Sequence, residues 1–115
     1  MLSTKKTEYF KQFLETRIAE VERMLRTAER EARAMVVKHA DPADQAANEY
    51  ERQSLVHKAA SARQTLKVLK DALKALQEGR FGECVECGAE IEMKRLQAIP
   101  WTRYCIACQE AREER

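Results

Sequence analysis

The sequence has few of the residues that build sheets or interrupt helices. Its 115 residues include 3 glycines, 2 prolines and only 6% aromatic residues, against a charged fraction of 35%. Strands need β-branched and aromatic side chains, and compact β folds need frequent turns, so this composition argues against a β-rich domain. It favours long, solvated helices. Because many of the apolar residues are alanines, we do not expect a large three-dimensional core.

A large excess of charge of one sign is also absent, since the chain has 21 basic and 19 acidic residues and a net charge of +2. That balance is not typical of a protein whose main task is to neutralise DNA phosphates. No run approaches the roughly 18–20 apolar residues of a membrane span, and the first residues lack the apolar core of a signal peptide. We therefore expect a cytoplasmic protein, in which the four cysteines stay reduced.

Apolar residues recur at helical spacing along two long segments. The first seam consists of Phe10, Leu14, Ile18, Val21, Leu25, Ala28, Ala32 and Met35. The second consists of Leu55, Ala59, Ala62, Leu66, Leu69, Leu73 and Leu76. Two such helices, joined by a short break, are expected to fold back as an antiparallel coiled-coil hairpin. The charged residues between the seam positions are interpreted as a solvated outer face.

The break between the helices reads "DPADQA". Asp41 is predicted to cap the second helix, with Pro42 at its first position and Asp44 in its first turn. The second seam turns polar toward this break, near Asn48 and Arg52, whereas its leucines cluster at the other end. A hairpin that is weakly joined at its tip is suited to entering another molecule.

The remaining segment contains all the glycines, all the cysteines and the only tryptophan. Cys84 and Cys87 form one C-x2-C pair, and Cys105 and Cys108 form a second pair after 17 intervening residues. This spacing is typical of a four-cysteine zinc site. Four thiolates leave no open coordination position, so we predict one structural Zn²⁺ rather than a catalytic one.

The overall prediction is an all-α protein with two parts. Residues 1–79 are assigned to the coiled-coil hairpin, with its tip near 40–46, and residues 80–115 to a zinc-finger module. We expect Gly79 to cap the second helix and a short C-terminal helix to begin near Ile106. Trp101 and Tyr104 are interpreted as packing groups beside the metal. His39 and His57 are isolated, and no nucleophile–base pair or phosphate loop is present, so no enzymatic activity is expected.

Two of these features together resemble the DksA/TraR family of bacterial RNA polymerase regulators. The tip fits the family's D-x-x-D-x-A pattern at Asp41, Asp44 and Ala46, and the four cysteines fit its zinc finger. The resemblance implies a monomer that binds RNA polymerase core or holoenzyme, without sequence-specific DNA binding. In that family the zinc module docks at the rim of the secondary channel, and the tip reaches toward the active site. There it alters open-complex stability, repressing ribosomal RNA promoters in stringent-response-type control.

The chain departs from the family where members bind the alarmone ppGpp. Those members place an Arg before the module's proline and a Lys after its last cysteine, whereas this chain has Ile99 and Gln109. Thr65 and Val68 stand at the corresponding basic positions of the second helix. A ppGpp site is therefore doubtful, and we hypothesise action independent of ppGpp. Nearby lysines could rebuild such a site, at positions Lys67, Lys70 and Lys74.

Three other interpretations remain open from the residues alone. A zinc-ribbon DNA-binding protein would need a basic face, which the balanced charge does not favour. A coiled-coil adaptor would self-associate through its seams and tolerate changes at Asp44. A transcript-cleavage factor of the coiled-coil type would use tip carboxylates to hold a second Mg²⁺ in the polymerase.

Overall fold

Four helices make up the regular structure of the part described here, residues 2–35 and 41–114 of a computed structural model. They are α1 (Thr4–Ala34), α2 (Pro42–Gln77), α3 (Met93–Ala98) and α4 (Ile106–Glu113). The predicted all-α class is confirmed, with two long packed antiparallel helices, a four-cysteine cluster and short C-terminal helices. No helix in the described ranges is long and apolar enough to cross a membrane.

The chain divides into two compact units. We call Ile18–Lys67 the hairpin unit, and Met1–Arg17 together with Val68–Arg115 the cysteine unit. The start of α1 and the end of α2 thus belong with the cysteine-containing segment. From the sequence we predicted a domain boundary between residues 79 and 80, and this boundary remains a prediction.

The hairpin unit is built on the two predicted seams. Val21 and Ala28 of α1 and Ala59, Ala62 and Leu66 of α2 are buried. Burial of alanine permits close helix approach but removes little apolar surface, so each contact contributes modestly. Beside the seam, the guanidinium of Arg63 donates to the Glu29 carboxylate at 2.8 Å. This ion pair joins α2 to α1.

Toward the start of α2 the seam becomes polar, as the sequence indicated. Asn48 and Arg52 are half-buried at the positions that continue the apolar spacing. The Asn48 side-chain amide donates a 2.7 Å hydrogen bond to the carbonyl of Met35. This bond satisfies a carbonyl at the end of α1, so a polar contact replaces apolar packing at this end of the hairpin unit.

The cysteine unit has a larger apolar core. Its buried side chains are Phe10, Leu14, Leu69, Leu76, Cys84, Ile91, Leu96 and Pro100. The rings of Phe10 and Phe81 pack with centroids 4.9 Å apart, and Trp101 stacks on Phe13 at 6.5 Å. The predicted packing role of Trp101 is confirmed.

The end of α2 has the hydrogen bonds of a Schellman motif. The N–H of Gly79 bonds to the carbonyl of Leu76 at 3.3 Å, and the N–H of Arg80 bonds to that of Ala75 at 2.8 Å. Gly79 has a φ of 77°, which a residue with a Cβ rarely adopts. The predicted glycine cap is confirmed, and the last helix begins at Ile106 as predicted.

Helix α3 was not predicted. Its 6 residues are fewer than two turns, too short for an apolar period to be recognised. Its buried Leu96 is its main packing contact. A Cβ at Gly82 would lie 3.2 Å from the Leu96 side chain, so glycine at this position lets the backbone pass closely over α3.

Candidate metal centre and tip of helix α2

The four predicted ligands come together in the cysteine unit. Their four sulfur atoms all lie within 4.8 Å of one another, and they belong to Cys84, Cys87, Cys105 and Cys108. The Cys87 and Cys105 sulfurs are 3.7 Å apart. A tetrahedral Zn²⁺ with zinc–sulfur bonds of about 2.3 Å requires sulfur–sulfur edges of about 3.8 Å. The cluster therefore fits one zinc ion. Thiolate ligands favour Zn²⁺ over divalent ions such as Mg²⁺ and Ca²⁺, which prefer oxygen ligands.

Local backbone structure places each cysteine pair. Around the first pair, the N–H of Cys84 bonds to the carbonyl of Ala89, and the N–H of Gly88 bonds back to that of Cys84, both at 2.9 Å. Gly88 has a φ of 75°, which closes this turn. Cys105 precedes α4 and Cys108 lies in its first turn. A 2.9 Å bond from the Val85 N–H to the Arg103 carbonyl connects the two turns.

The electrostatics of the cluster call for a cation. The backbone N–H of Cys87, followed by that of Cys105, lowers the pKa of the Cys84 thiol to about 6. By contrast, hydrogen bonding with Cys105 and then Cys84 raises the pKa of Cys108. Four thiols this close cannot all ionise without a positive charge among them. A bound Zn²⁺ supplies that charge and, through it, folding free energy.

Basic residues near the cluster hold the module together. Arg112 pairs with Glu86 at 3.1 Å and lies over the ring of Tyr104, 4.4 Å from its centroid. The guanidinium of Arg95 donates a 3.0 Å bond to the carbonyl of Tyr104. Tyr104 thus has the predicted packing role, and these two arginines have partners within the protein.

At the start of α2, Asp41 caps the helix as predicted. Its carboxylate accepts a 2.9 Å hydrogen bond from the N–H of Ala43, and its carbonyl accepts the first helical bond from Gln45. Pro42 is the first helical residue, where its missing N–H costs nothing. Residues 36–40, including His39 and the beginning of the predicted tip, lie outside the described residues.

Asp44 differs from Asp41 although both are exposed. It lies in the first turn of α2. Within the described ranges its carboxylate has neither a hydrogen-bond nor an ion-pair partner. Ala46, two residues further along α2, is also exposed. The structure therefore offers one unengaged carboxylate beside a positively polarised helix terminus.

Three of the residues that depart from the alarmone-binding pattern line a single cavity. Val68, Ile99 and Gln109 are brought together around a space of about 370 Å³, which Arg95, Arg103 and Glu113 also border. The sequence identified the three positions separately, and only the fold places them side by side. Thr65 does not line this cavity.

Comparison with known proteins agrees with this geometry. Residues 79–114 match the model of the prokaryotic dksA/traR C4-type zinc finger. Over 114 residues the chain is 30% identical to the RNA polymerase-binding transcription factor DksA of Caulobacter vibrioides, covering 99% of this chain and 80% of that protein. It is 36% identical over 75 residues to the protein of the same name from Escherichia coli K12. That match spans only 50% of the Escherichia coli protein and 65% of this chain.

The fold is similar to one that has been solved. Transcription factor DksA2 from Pseudomonas aeruginosa matches with a TM-score of 0.86 and 26% sequence identity. The match covers 97% of this chain and 86% of that one. The similarity therefore extends over both the long helices and the cysteine cluster.

Proposed function

This chain belongs to the DksA/TraR family of C4-type zinc-finger proteins, and from that membership we propose that it binds RNA polymerase directly and regulates transcription. It acts as a monomer in the cytoplasm, without enzymatic activity of its own and without reading promoter sequence. Its relatives from Escherichia coli and Caulobacter vibrioides are RNA polymerase-binding transcription factors, which supports this partner.

In the proposed complex, the start of α2 enters the secondary channel of the polymerase and reaches the neighbourhood of the active site. The free Asp44 carboxylate carries this proposal. Because Asp41 is already engaged by the helix backbone, Asp44 is the tip aspartate available to a partner. Ala46 is small and exposed, which permits close approach. From this position the tip alters open-complex stability at ribosomal RNA promoters.

The polar end of the hairpin unit is consistent with insertion. A stability-optimised hairpin would continue its apolar seam through Asn48 and Arg52. Here those positions are polar and half-buried. Because the tip is polar, it leaves little apolar surface exposed to water in the free protein. It can therefore be surrounded by water there and by protein in the channel.

The zinc site has a supporting role. Cys84, Cys87, Cys105 and Cys108 act as the ligands of one structural Zn²⁺, which supplies folding energy to a segment with few apolar residues. The cysteine unit then provides a rigid body that docks at the rim of the channel.

Regulation is proposed to be independent of ppGpp. The cavity lined by Val68, Ile99 and Gln109 lacks charge at the positions where alarmone-binding relatives are basic. Two arginines border this cavity, but Arg95 donates to the carbonyl of Tyr104 and Arg103 lies over the Tyr104 ring. The apolar and neutral side chains at the three other positions do not compensate the charge of a polyphosphate.

The experiment is site-specific photocrosslinking in a complex with purified RNA polymerase. A photoreactive residue replaces exposed Ala47, near the tip, and in a matched control it replaces exposed Val85 of the cysteine unit. We expect Ala47 to crosslink to polymerase segments around the active site, and Val85 to crosslink elsewhere. Absence of a complex, or tip crosslinks confined to the outer surface, would overturn the proposal.

A further inference from the structure

Four arginines form a stripe on the outer face of α1 in the hairpin unit. They are Arg23, Arg26, Arg30 and Arg33, and all four are exposed. Their spacing of 3, 4 and 3 residues aligns them along one side of the helix, within about 80° of its circumference and over about 15 Å of its axis. We call this set the arginine stripe. It lies opposite the buried seam residues Val21 and Ala28.

The stripe is not neutralised from within. Among the residues described, none of its four guanidinium groups has a hydrogen-bond or ion-pair partner. The acidic neighbours along one border are engaged elsewhere, since Glu29 pairs with Arg63 and Glu22 has an interaction of its own. Within residues 18–34 of α1, the other positions on the stripe's side are small or neutral, at Ala19, Thr27 and Ala34.

This arrangement differs from a solvated face of mixed charge. Exposed charges on helices commonly alternate in sign and form pairs three or four residues apart. Here four like charges are neighbours at that spacing, and like charges at that spacing repel each other and destabilise the helix. A polyanion that docks along the row would remove the repulsion.

The chemistry of the row favours a nucleic acid strand over an acidic protein. Protein interfaces have an apolar core with aromatic residues, but no large apolar side chain is exposed on this side of α1 within residues 18–34. Exposed Met24 lies about 100° away from the nearest stripe arginine. Arginine forks bind phosphate oxygens in pairs, and a straight row of them suits a linear polyphosphate.

A single strand fits better than a duplex. The backbone positions of successive stripe arginines are separated by about 4.5 to 6 Å along the helix axis. A flexible strand can place successive phosphates opposite such a row, whereas each strand of a rigid duplex winds away from it. Without aromatic side chains for base stacking, the contacts would be to the backbone and independent of sequence.

We propose that the arginine stripe binds the phosphate backbone of a single-stranded nucleic acid. This goes beyond polymerase binding and does not depend on it. The small net charge of the whole chain is no obstacle, because phosphate contacts respond to the local row of charges within about a Debye length.

The test is a binding titration of the zinc-loaded full chain with a fluorescent 12-nucleotide oligouridine. For about four phosphate contacts on a single strand, log K should fall with log salt at a slope of about −2.8. Between 50 and 200 mM salt that slope weakens binding about 50-fold. Oligoadenosine and single-stranded DNA of equal length should bind equally well, and a duplex more weakly.

Two charge-matched variants decide the outcome. One replaces the four stripe arginines by glutamine, and the other replaces Lys5, Lys6, Lys11 and Lys58, which are exposed elsewhere. The stripe variant should bind at least about tenfold more weakly with a slope near zero, and the lysine variant should retain most binding. Circular dichroism checks that both variants are folded, since glutamine is a good helix former.

Three results would overturn the proposal. The first is a stripe variant that binds the oligonucleotide like wild type, and the second is an equal loss in both variants. The third is a wild-type protein that binds no oligonucleotide at 50 mM salt, while the stripe variant loses affinity for polymerase. That last result would assign the stripe to an acidic protein surface. Failure of oligonucleotide binding leaves the crosslinking test of polymerase insertion unaffected.

Discussion

At the scale of single residues, the two tip aspartates illustrate how a local explanation can account for one residue and not for its neighbour. Both were predicted from the same "DPADQA" stretch. The carboxylate of Asp41 accepts a hydrogen bond from Ala43, so helix capping accounts for it. The carboxylate of Asp44 has no such bond within the described residues.

We expect Asp41→Ala to destabilise the start of α2 by about 1 kcal/mol, because it removes the only side-chain acceptor that caps the first turn in the described chain. Asp44→Asn should cost about 0.5 kcal/mol or less, since it changes only the interaction with the helix dipole. Amide hydrogen exchange in the first turns of α2 measures both. Equal or reversed effects would contradict the assignment of Asp41 as the cap.

At the scale of helices, the seams were predictable because each repeats over many turns. Every residue of both predicted seams is buried or half-buried. Gly79 was predictable because the Schellman motif requires a left-handed residue. Helix α3 was not, since it spans Met93–Ala98 and is held by tertiary contacts of Leu96 rather than by a periodic pattern.

The polar part of the seam gives a prediction for the hairpin unit. Arg52 donates to Glu49 at 2.7 Å, and this hydrogen bond lowers the pKa of the Glu49 carboxyl to about 2. Glu49 is exposed and Arg52 is only half-buried, so the ion pair between them adds little stability. We expect Arg52→Leu to extend the apolar seam and to stabilise the protein by about 1 kcal/mol against urea.

Gln53→Leu is the matched control, because it adds the same side chain at an exposed position next in sequence. Like Arg52→Leu, it also removes a hydrogen bond to the Glu49 carboxylate, here the one that Gln53 donates at 2.9 Å. It should leave the free energy of unfolding nearly unchanged. If Arg52→Leu destabilises the protein, or if both variants behave alike, Arg52 does not occupy an interrupted seam position.

At the scale of the whole molecule, the two units should respond differently to loss of zinc. Chelation should unfold the segment that contains α3 and α4, whose burial rests on few apolar residues. It should leave most of the hairpin unit helical, because the buried residues of that unit include no cysteine. Hydrogen exchange with and without chelator measures this, together with the release of one zinc per chain. Persistent protection of α4 in zinc-free protein would contradict it.

The cavity beside α4 tests the expected independence of ppGpp. The sequence indicated Val68, Ile99 and Gln109 only through family resemblance, because residues that are distant along the chain carry no sign of proximity. We expect ppGpp to leave the effect of this protein on a ribosomal promoter unchanged. The double variant Ile99→Arg, Gln109→Lys should gain a ppGpp response, since it adds two cations around the cavity. Potentiation of the unaltered protein by ppGpp would contradict this account.

The central claim is that α2 presents Asp44 to the polymerase active site, and the most direct measurement separates binding from effect. Transcription from a ribosomal RNA promoter is followed with purified polymerase and either wild-type protein or Asp44→Asn, alongside the affinity of each for polymerase. We expect Asp44→Asn to fold and to bind polymerase within about twofold of wild type, because only one exposed oxygen is changed, but no longer to alter transcription. An Asp44→Asn protein that regulates the promoter as well as wild type would contradict it.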